Sequence, residues 1–152
     1  MKGIRIKKNE KELQQIHDLD ASIIHCPTSN RLLSNATLNL SYIEDIPLAI
    51  GTDGLSSNHT LNIFEELKNA LFIHNNFEPN QLAQRLLKAA TNGGGVALGL
   101  QKGILQKGYD ADIISFKLPD SIEDKDDLAT AIILHTSQTT HTFIGGVNEL
   151  LK

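Results

Sequence analysis

The sequence predicts an α/β fold in which parallel βα units are followed by a small β segment. Three observations carry this expectation. Short apolar runs at residues 21–26 (ASIIHC) and 47–52 (PLAIGT) are bounded by polar, proline or glycine residues, as buried strands are. Stretches of helical period accompany them at residues 9–20 and 61–74. Beyond Leu100 that period gives way to short runs of strand character.

Residues 9–20 are expected to be helical because Leu13, Ile16 and Leu19 recur every three residues, and Asn9 with Glu12 has capping-box spacing. The first strand run ends at Pro27 and a polar stretch through Asn30; the second ends in DGLSSN. A longer helix follows, with Leu61, Phe64, Leu67, Leu71 and His74 on one face. Residues 77–80 interrupt it, and Pro79 suits the first turn of the next helix, which carries Leu82, Leu86, Leu87 and Ala90. Gly93, Gly94 and Gly95 are expected to end or distort that helix. They do not make a nucleotide loop, having no Gly-Lys-Ser/Thr and following a helix instead of a strand. Residues 103–105 and 111–116, around Lys107-Gly108, suggest a hairpin. Residues 119–127 read as an exposed acidic loop, and residues 129–136 and 139–144 as two further strands.

With 40% apolar and 21% charged residues, the 152-residue chain has the composition of an ordinary globular domain or part of a larger one. A formal net charge of −4 gives no reason to expect a nucleic-acid partner. The basic cluster Lys2, Arg5, Lys7, Lys8 and Lys11 reads as a solvated tail. Cys26 is the only cysteine, which excludes an intramolecular disulfide and a thiolate metal cluster. No apolar run approaches the roughly 20 residues that span a bilayer, and the start lacks an apolar signal core. No membrane association and a cytoplasmic location are therefore expected.

GTDGLSSN is the most informative stretch. Asp53 directly follows a parallel-type strand, and side chains at the carboxyl ends of such strands converge on the active site of a (β/α)₈ barrel. Gly51 and Gly54 are expected to let the backbone turn sharply on either side of it. Ser56, Ser57 and Asn58 bring hydroxyl and amide groups beside it. The local pattern alone favours a plainer reading, a helix N-cap cluster with Asp53 complementing the dipole. In HCPTSN, His25 and Cys26 are neighbours on a strand and point to opposite faces, so they are unsuited to act as base and nucleophile. Cys26 is expected to be a small buried apolar residue. Asn30 and Arg31 lie past the strand end, where a ligand-contacting loop would be.

The ordered motifs HCPTSNRLLSN, IGTDGLSSNHTLNIFEELKNAL, LLKAATNGGGVALGL and KGILQKGYDADIISF resemble the C-terminal quarter to third of the amidohydrolase superfamily. The branch is that of the chlorohydrolases, cytosine deaminases and adenosine-type deaminases. SNRLL with TDGLSSN-TLN-F-EL is most similar to the aminodeoxyfutalosine deaminases of the futalosine route to menaquinone. The match runs from about Glu12 to Phe116 and more loosely onward, and the family sequence is expected to be lost near residue 9.

The resemblance implies the C-terminal part of a (β/α)₈ metal-dependent hydrolase barrel with strands of a small β-sandwich. Residues 1–100 would be the last βα units, the seventh and eighth strands being residues 21–26 and 47–52; residues 101–152 would be the sandwich segment. It implies Asp53 as metal ligand and catalytic carboxylate, and Ser57 near the substrate; Asn30 and Arg31 are further substrate-binding candidates by position. The implied chemistry is hydrolytic deamination of a small-molecule heterocycle of adenine type, with zinc or iron lowering the pKa of bound water toward ~7. Other branch substrates are guanine, cytosine, methylthioadenosine and triazines.

The family's remaining ligands are a His-x-His pair and two later single histidines. Here His17, His25, His59, His74, His135 and His141 include no two separated by one residue, and none falls at those places. His59 is expected at a helix start and His74 packed on its helix. The chain by itself is therefore expected to be inactive and to bind metal weakly. Two βα units cannot close a barrel, so open strand edges and self-association or complementation through them are expected.

Overall fold

The computed structural model describes residues 10–119 and 126–149. The Asn9 cap, the basic residues Lys2, Arg5, Lys7 and Lys8, and residues 120–125 of the acidic loop lie outside them. Helix α1 (Glu10–Asp18) sets Leu13 and Ile16 against the core, as its period requires. Leu19 falls past the helix end and is 77% exposed.

Strands β1 (Ile23–His25) and β2 (Leu48–Ile50) pair in parallel, with Ile23 opposite Leu48 and His25 opposite Ile50. A parallel pair needs a long crossover. Here it runs through the short helix α2 (Pro27–Leu32) and a 3₁₀ turn at Leu40–Tyr42. Proline at the first helical position starts α2 where the sequence suggested a loop. Leu40 and Ile43 are fully buried, and the Arg85 guanidinium donates to both of their carbonyls, at 3.0 and 3.2 Å.

Helix α3 (Ile63–Ile73) packs on β2, and α4 (Pro79–Lys88) packs against α3. The Asn62 side chain caps α3 by accepting from the Phe64 N–H. The Glu78 carboxylate caps α4 by accepting from the Asn80 and Gln81 N–H groups, and Pro79 follows it at the first position. Leu67, Ala70, Leu82 and Leu86 form the centre of the core with Leu48 and Ile50 of β2. The other side of β1 is open: Ile24 is 58% exposed.

The three glycines distort the helix without ending the helical path. A π turn (Ala89–Gly93) leads into one more turn, α5 (Gly94–Ala97). The helix crosses β2 so closely that a Cβ on Gly93 would stand 1.9 Å from the Leu48 carbonyl oxygen. Close backbone approach, not chain freedom, is what requires glycine there.

Two sequence expectations fail after Leu100. Residues 103–105 make no hairpin with 111–116. Strand β3 (Ile113–Ser115) instead pairs antiparallel with β4 (His141–Ile144), which pairs with β5 (Val147–Asn148). Gly103 takes φ +81° against the Thr91 carbonyl, and Lys102 folds onto Asp110 and Asp112, so this segment is tied down as an irregular loop. Residues 129–136, expected as a strand, lie in helix α6 (Leu128–His135). Their β-branched residues disfavour helix only weakly, and packing decides. Ile133 is fully buried in the core against α3 and α4, while Asn80 bonds both Thr130 and Asp127 at the helix start.

Two histidines tie β1 to α3. His25 (1% exposed) and His74, at the end of α3, face each other with Nε2 atoms 3.0 Å apart. Burial, then the neighbouring His74, holds His25 down at about 4; burial, then Arg85, lowers His74. The Nδ1 atom of His25 is buried and unpartnered. An unpaired acceptor is less costly than an unpaired N–H, which places the shared proton on Nε2 of His25. In the unfolded chain histidine titrates near 6.5, so the stability from keeping the pair neutral is complete above that pH. It is lost as pH falls toward about 4, by about 3 kcal/mol from His25 alone. Urea midpoints should fall steeply across this window, and a His25→Leu/His74→Leu variant should flatten the slope.

Candidate active site

The site grows from the carboxyl ends of the two parallel strands. Leaving β1, the chain enters α2 and carries Ser29 on its first turns; leaving β2, it reaches Asp53 three residues on. Asp53 itself takes φ +59°, a left-handed conformation that aspartate tolerates better than most residues. The expected pivots, Gly51 and Gly54, do not. Gly51 is required for space, since a Cβ there would lie 2.8 Å from Ile24 Cγ2.

This turn exposes the Asp53 carboxylate while binding both of its oxygens. The Gly54 N–H donates to Oδ1 at 2.8 Å, and the Ser29 hydroxyl donates to Oδ2 at 2.7 Å. The Ser57 hydroxyl donates to Oδ2 at 3.1 Å; Ser29 Oγ also lies 2.9 Å from Ser57 Oγ, which competes as an acceptor for the single Ser29 proton. The Ser29 hydroxyl first, then the Gly54 N–H and the Ser57 hydroxyl, hold Asp53 below the usual carboxylate range against a smaller opposing effect of desolvation. The group is solvent-facing and charged at neutral pH.

The plainer N-cap reading of this stretch is overturned. Helix α3 begins at Ile63 under Asn62, so Asp53, Ser56, Ser57 and Asn58 do not cap it. His59, expected at a helix start, is an exposed residue of the intervening loop. Asn58 instead turns inward: its Nδ2 donates to the Thr52 carbonyl at 2.6 Å and to the Glu66 carboxyl at 2.7 Å.

Of the four residues singled out from the sequence, Asp53 and Ser57 come together. Asn30 and Arg31 lie on α2 and not on a loop. Asn30 accepts from the Asn35 side chain, and Arg31 is exposed; among the described residues no hydrogen bond or ion pair joins either to Asp53. Cys26 is half-buried at the start of α2, its thiol pushed up by burial, then by Asp53 and Glu66. The sequence reading missed Ser29 and Glu66. Nothing periodic marks Ser29. Glu66 does carry a signal, an acidic residue set within the apolar stripe of Leu67, Ala70 and Leu71.

Asp53 suits one coordination position of a divalent cation, because a carboxylate with three hydrogen-bond donors keeps lone-pair capacity. The set around it does not suit a whole metal site. Among the described residues no group of three or more His, Cys, Asp or Glu side chains could hold an ion, and His25 and His74 are turned onto each other in the core. Catalytic zinc sites commonly use three protein ligands.

Replacing Ser29 by alanine should raise the Asp53 pKa toward its ordinary value, and Ser57→Ala should raise it less, in keeping with the order of their effects. The carboxyl carbon of Asp53, followed by NMR against pH, reads this directly. Equal shifts in the two variants would contradict the arrangement.

A family model described as the amidohydrolase family matches residues 2–148, so the similarity extends ahead of residue 9, where it was expected to stop. An aminodeoxyfutalosine deaminase of a Nitratiruptor species is 48% identical over 138 residues, 91% of this chain and 34% of that protein. The crystal structure of Helicobacter pylori aminofutalosine deaminase in complex with methylthio-coformycin superposes with a TM-score of 0.81 at 32% identity, over 91% of this chain and 34% of that one. An adenosine deaminase from Xanthomonas campestris with bound zinc gives a TM-score of 0.76 at 27% identity, over 93% and 34%. The chain thus spans about a third of the length of the relatives it matches. With parallel strands that carry Ser29 and Asp53 beyond their carboxyl ends, and a family match over nearly the whole sequence, this chain belongs to the amidohydrolase family and has the fold of its C-terminal portion.

Proposed function

We propose that this chain is the C-terminal portion of a metal-dependent hydrolase that deaminates an adenine-type nucleoside such as aminodeoxyfutalosine, in menaquinone biosynthesis and in the cytoplasm. The observation that carries this reading is the exposed Asp53 carboxylate, fixed by Ser29, Ser57 and Gly54 in a chain 48% identical to an aminodeoxyfutalosine deaminase. Residues 1–100 are read as the last βα units of the barrel and residues 101–152 as its β-sandwich segment, with α6 returning to the barrel core.

In this reading Asp53 supplies one ligand to a divalent ion, zinc or iron, and exchanges a proton at the same carboxylate. Its low pKa keeps it charged at neutral pH, as a ligand must be. Ser57 stands beside it, where a substrate atom would approach. Asn30 and Arg31 offer an amide and a guanidinium from α2. The metal's other ligands would come from the part of the enzyme outside the described residues.

The purified chain should release no ammonia from adenine nucleosides and bind zinc weakly; turnover with tightly held stoichiometric metal would overturn the reading. Co-expressed with the preceding two-thirds of the Nitratiruptor protein, it should restore deamination. Asp53→Asn in that assembly should lower kcat by roughly 10²–10⁴-fold.

A second reading, association through the open side of the strands, is favoured by the exposure of Ile24 (58%) on β1. Light scattering should show size increasing with concentration. A monomer throughout would exclude self-association.

A further inference from the structure

We propose that Glu66 is a positioning residue that sets the contact between Ser29 and Asp53. This rests on the reading of Asp53 as the working carboxylate. Glu66 is fully buried and does not touch Asp53. It stands on α3 between α2, which follows β1, and the loop that follows β2. Its Oε2 accepts from the Thr28 N–H at 3.1 Å, and its Oε1 accepts from Asn58 Nδ2 at 2.7 Å. Asn58 Nδ2 in turn holds the Thr52 carbonyl at 2.6 Å. One carboxyl group thereby grips Thr28 and, through Asn58, Thr52. These are the residues immediately before Ser29 and Asp53, whose side chains meet at 2.7 Å. One turn farther along α3, Asn69 Nδ2 donates to the Thr28 hydroxyl at 2.6 Å, and so fixes the same point from the same helix.

The chemistry of the position explains why it is a glutamate. Both partners are donors, so the central group must accept on both sides. Glutamine has the same shape but always turns an NH₂ toward one of them, opposing donor to donor. If the amide faces Thr28, the start of α2 is released; if it faces Asn58, the link to Thr52 is released. Rotating the Asn58 amide does not help, because its Oδ1 accepts from the Thr60 N–H and its Nδ2 is needed at Thr52. An aliphatic residue would continue the Leu67–Ala70–Leu71 stripe and fill the space, yet join neither loop. Burying a polar group in an apolar stripe costs stability unless its partners are complete. Here the partners are complete, and they lie beside the Asp53 cradle.

Glu66→Gln, Ser29→Ala and the double variant test this through the Asp53 carboxyl-carbon resonance at fixed neutral pH. Glu66→Gln should displace that resonance in the same direction as Ser29→Ala, and in the Ser29→Ala background it should add nothing. Urea unfolding of the same set should be non-additive, as for members of one network. A Glu66→Gln chain that loses stability but leaves the Asp53 resonance unmoved, or shifts that add in full, would overturn the proposal. If Glu66→Gln does not fold, Asn58→Ala, which keeps the bond from Thr28 to Glu66 and removes the Thr52 arm together with the Thr60 contact, should displace the resonance; no displacement would count equally against it. The measurement reads geometry and not turnover. Failure to deaminate would therefore leave a positive result standing, and an unmoved resonance would leave the deaminase reading untouched.

Discussion

The parallel pairing of β1 with β2 is the constraint on which the rest depends. Parallel strands deliver their carboxyl ends to the same edge, and this register sets His25 level with Ile50. From there one segment enters α2 and the other a loop, and Ser29 of the first meets Asp53 of the second at hydrogen-bond distance. An antiparallel pairing would send those loops to opposite ends and separate the two side chains by the length of a strand. Every feature of the site follows from that edge: the left-handed turn at Asp53, the Ser57 hydroxyl beside it, and the Asn58 amide turned inward.

Burial of polar groups beneath the edge turns a loop junction into a fixed arrangement. His25 and His74 share one hydrogen bond in the core, and Glu66 accepts two more between the loops. Each group costs desolvation that only paired partners offset. Such networks admit few alternatives, because a donor moved from its acceptor is left unpaired in a low dielectric. The His pair anchors β1 to α3, and the same helix carries Glu66. Helix α3 therefore acts as a common frame for both site-bearing loops, and α4 and α6 hold that frame from behind.

Much of this was legible along the chain. The apolar runs around Ile24 and Ala49 announced two strands, of which β2 is buried as expected and β1 is open at Ile24, and the periodic residues Leu67, Leu71, Leu82 and Leu86 announced two helices. The ordered motifs around Asp53 and Ser57 identified the family, and the family model covers them. Other parts were not legible, for physical reasons. ATAIILH has the composition of a strand, and only its place against α3 and α4 makes it a helix. Gly93 reads as a helix breaker until the Leu48 carbonyl is seen against its α-carbon. Ser29 is one polar residue in a polar stretch, with no spacing to mark it.

By itself, then, the sequence determined the αβ alternation, through local periodicity, and the family, through the ordered motifs around Asp53, because both rest on residues close together along the chain. The tertiary structure alone decided which strand pairs with β3, that residues 128–135 are helical, and that Ser29, Glu66 and His25 matter. The last three rest on polar contacts between residues 24, 38 and 49 positions apart, Ser29 with Asp53, Thr28 with Glu66 and His25 with His74. Local pattern cannot report such pairings, since the energy that selects them is that of donors and acceptors buried together only once the chain has folded.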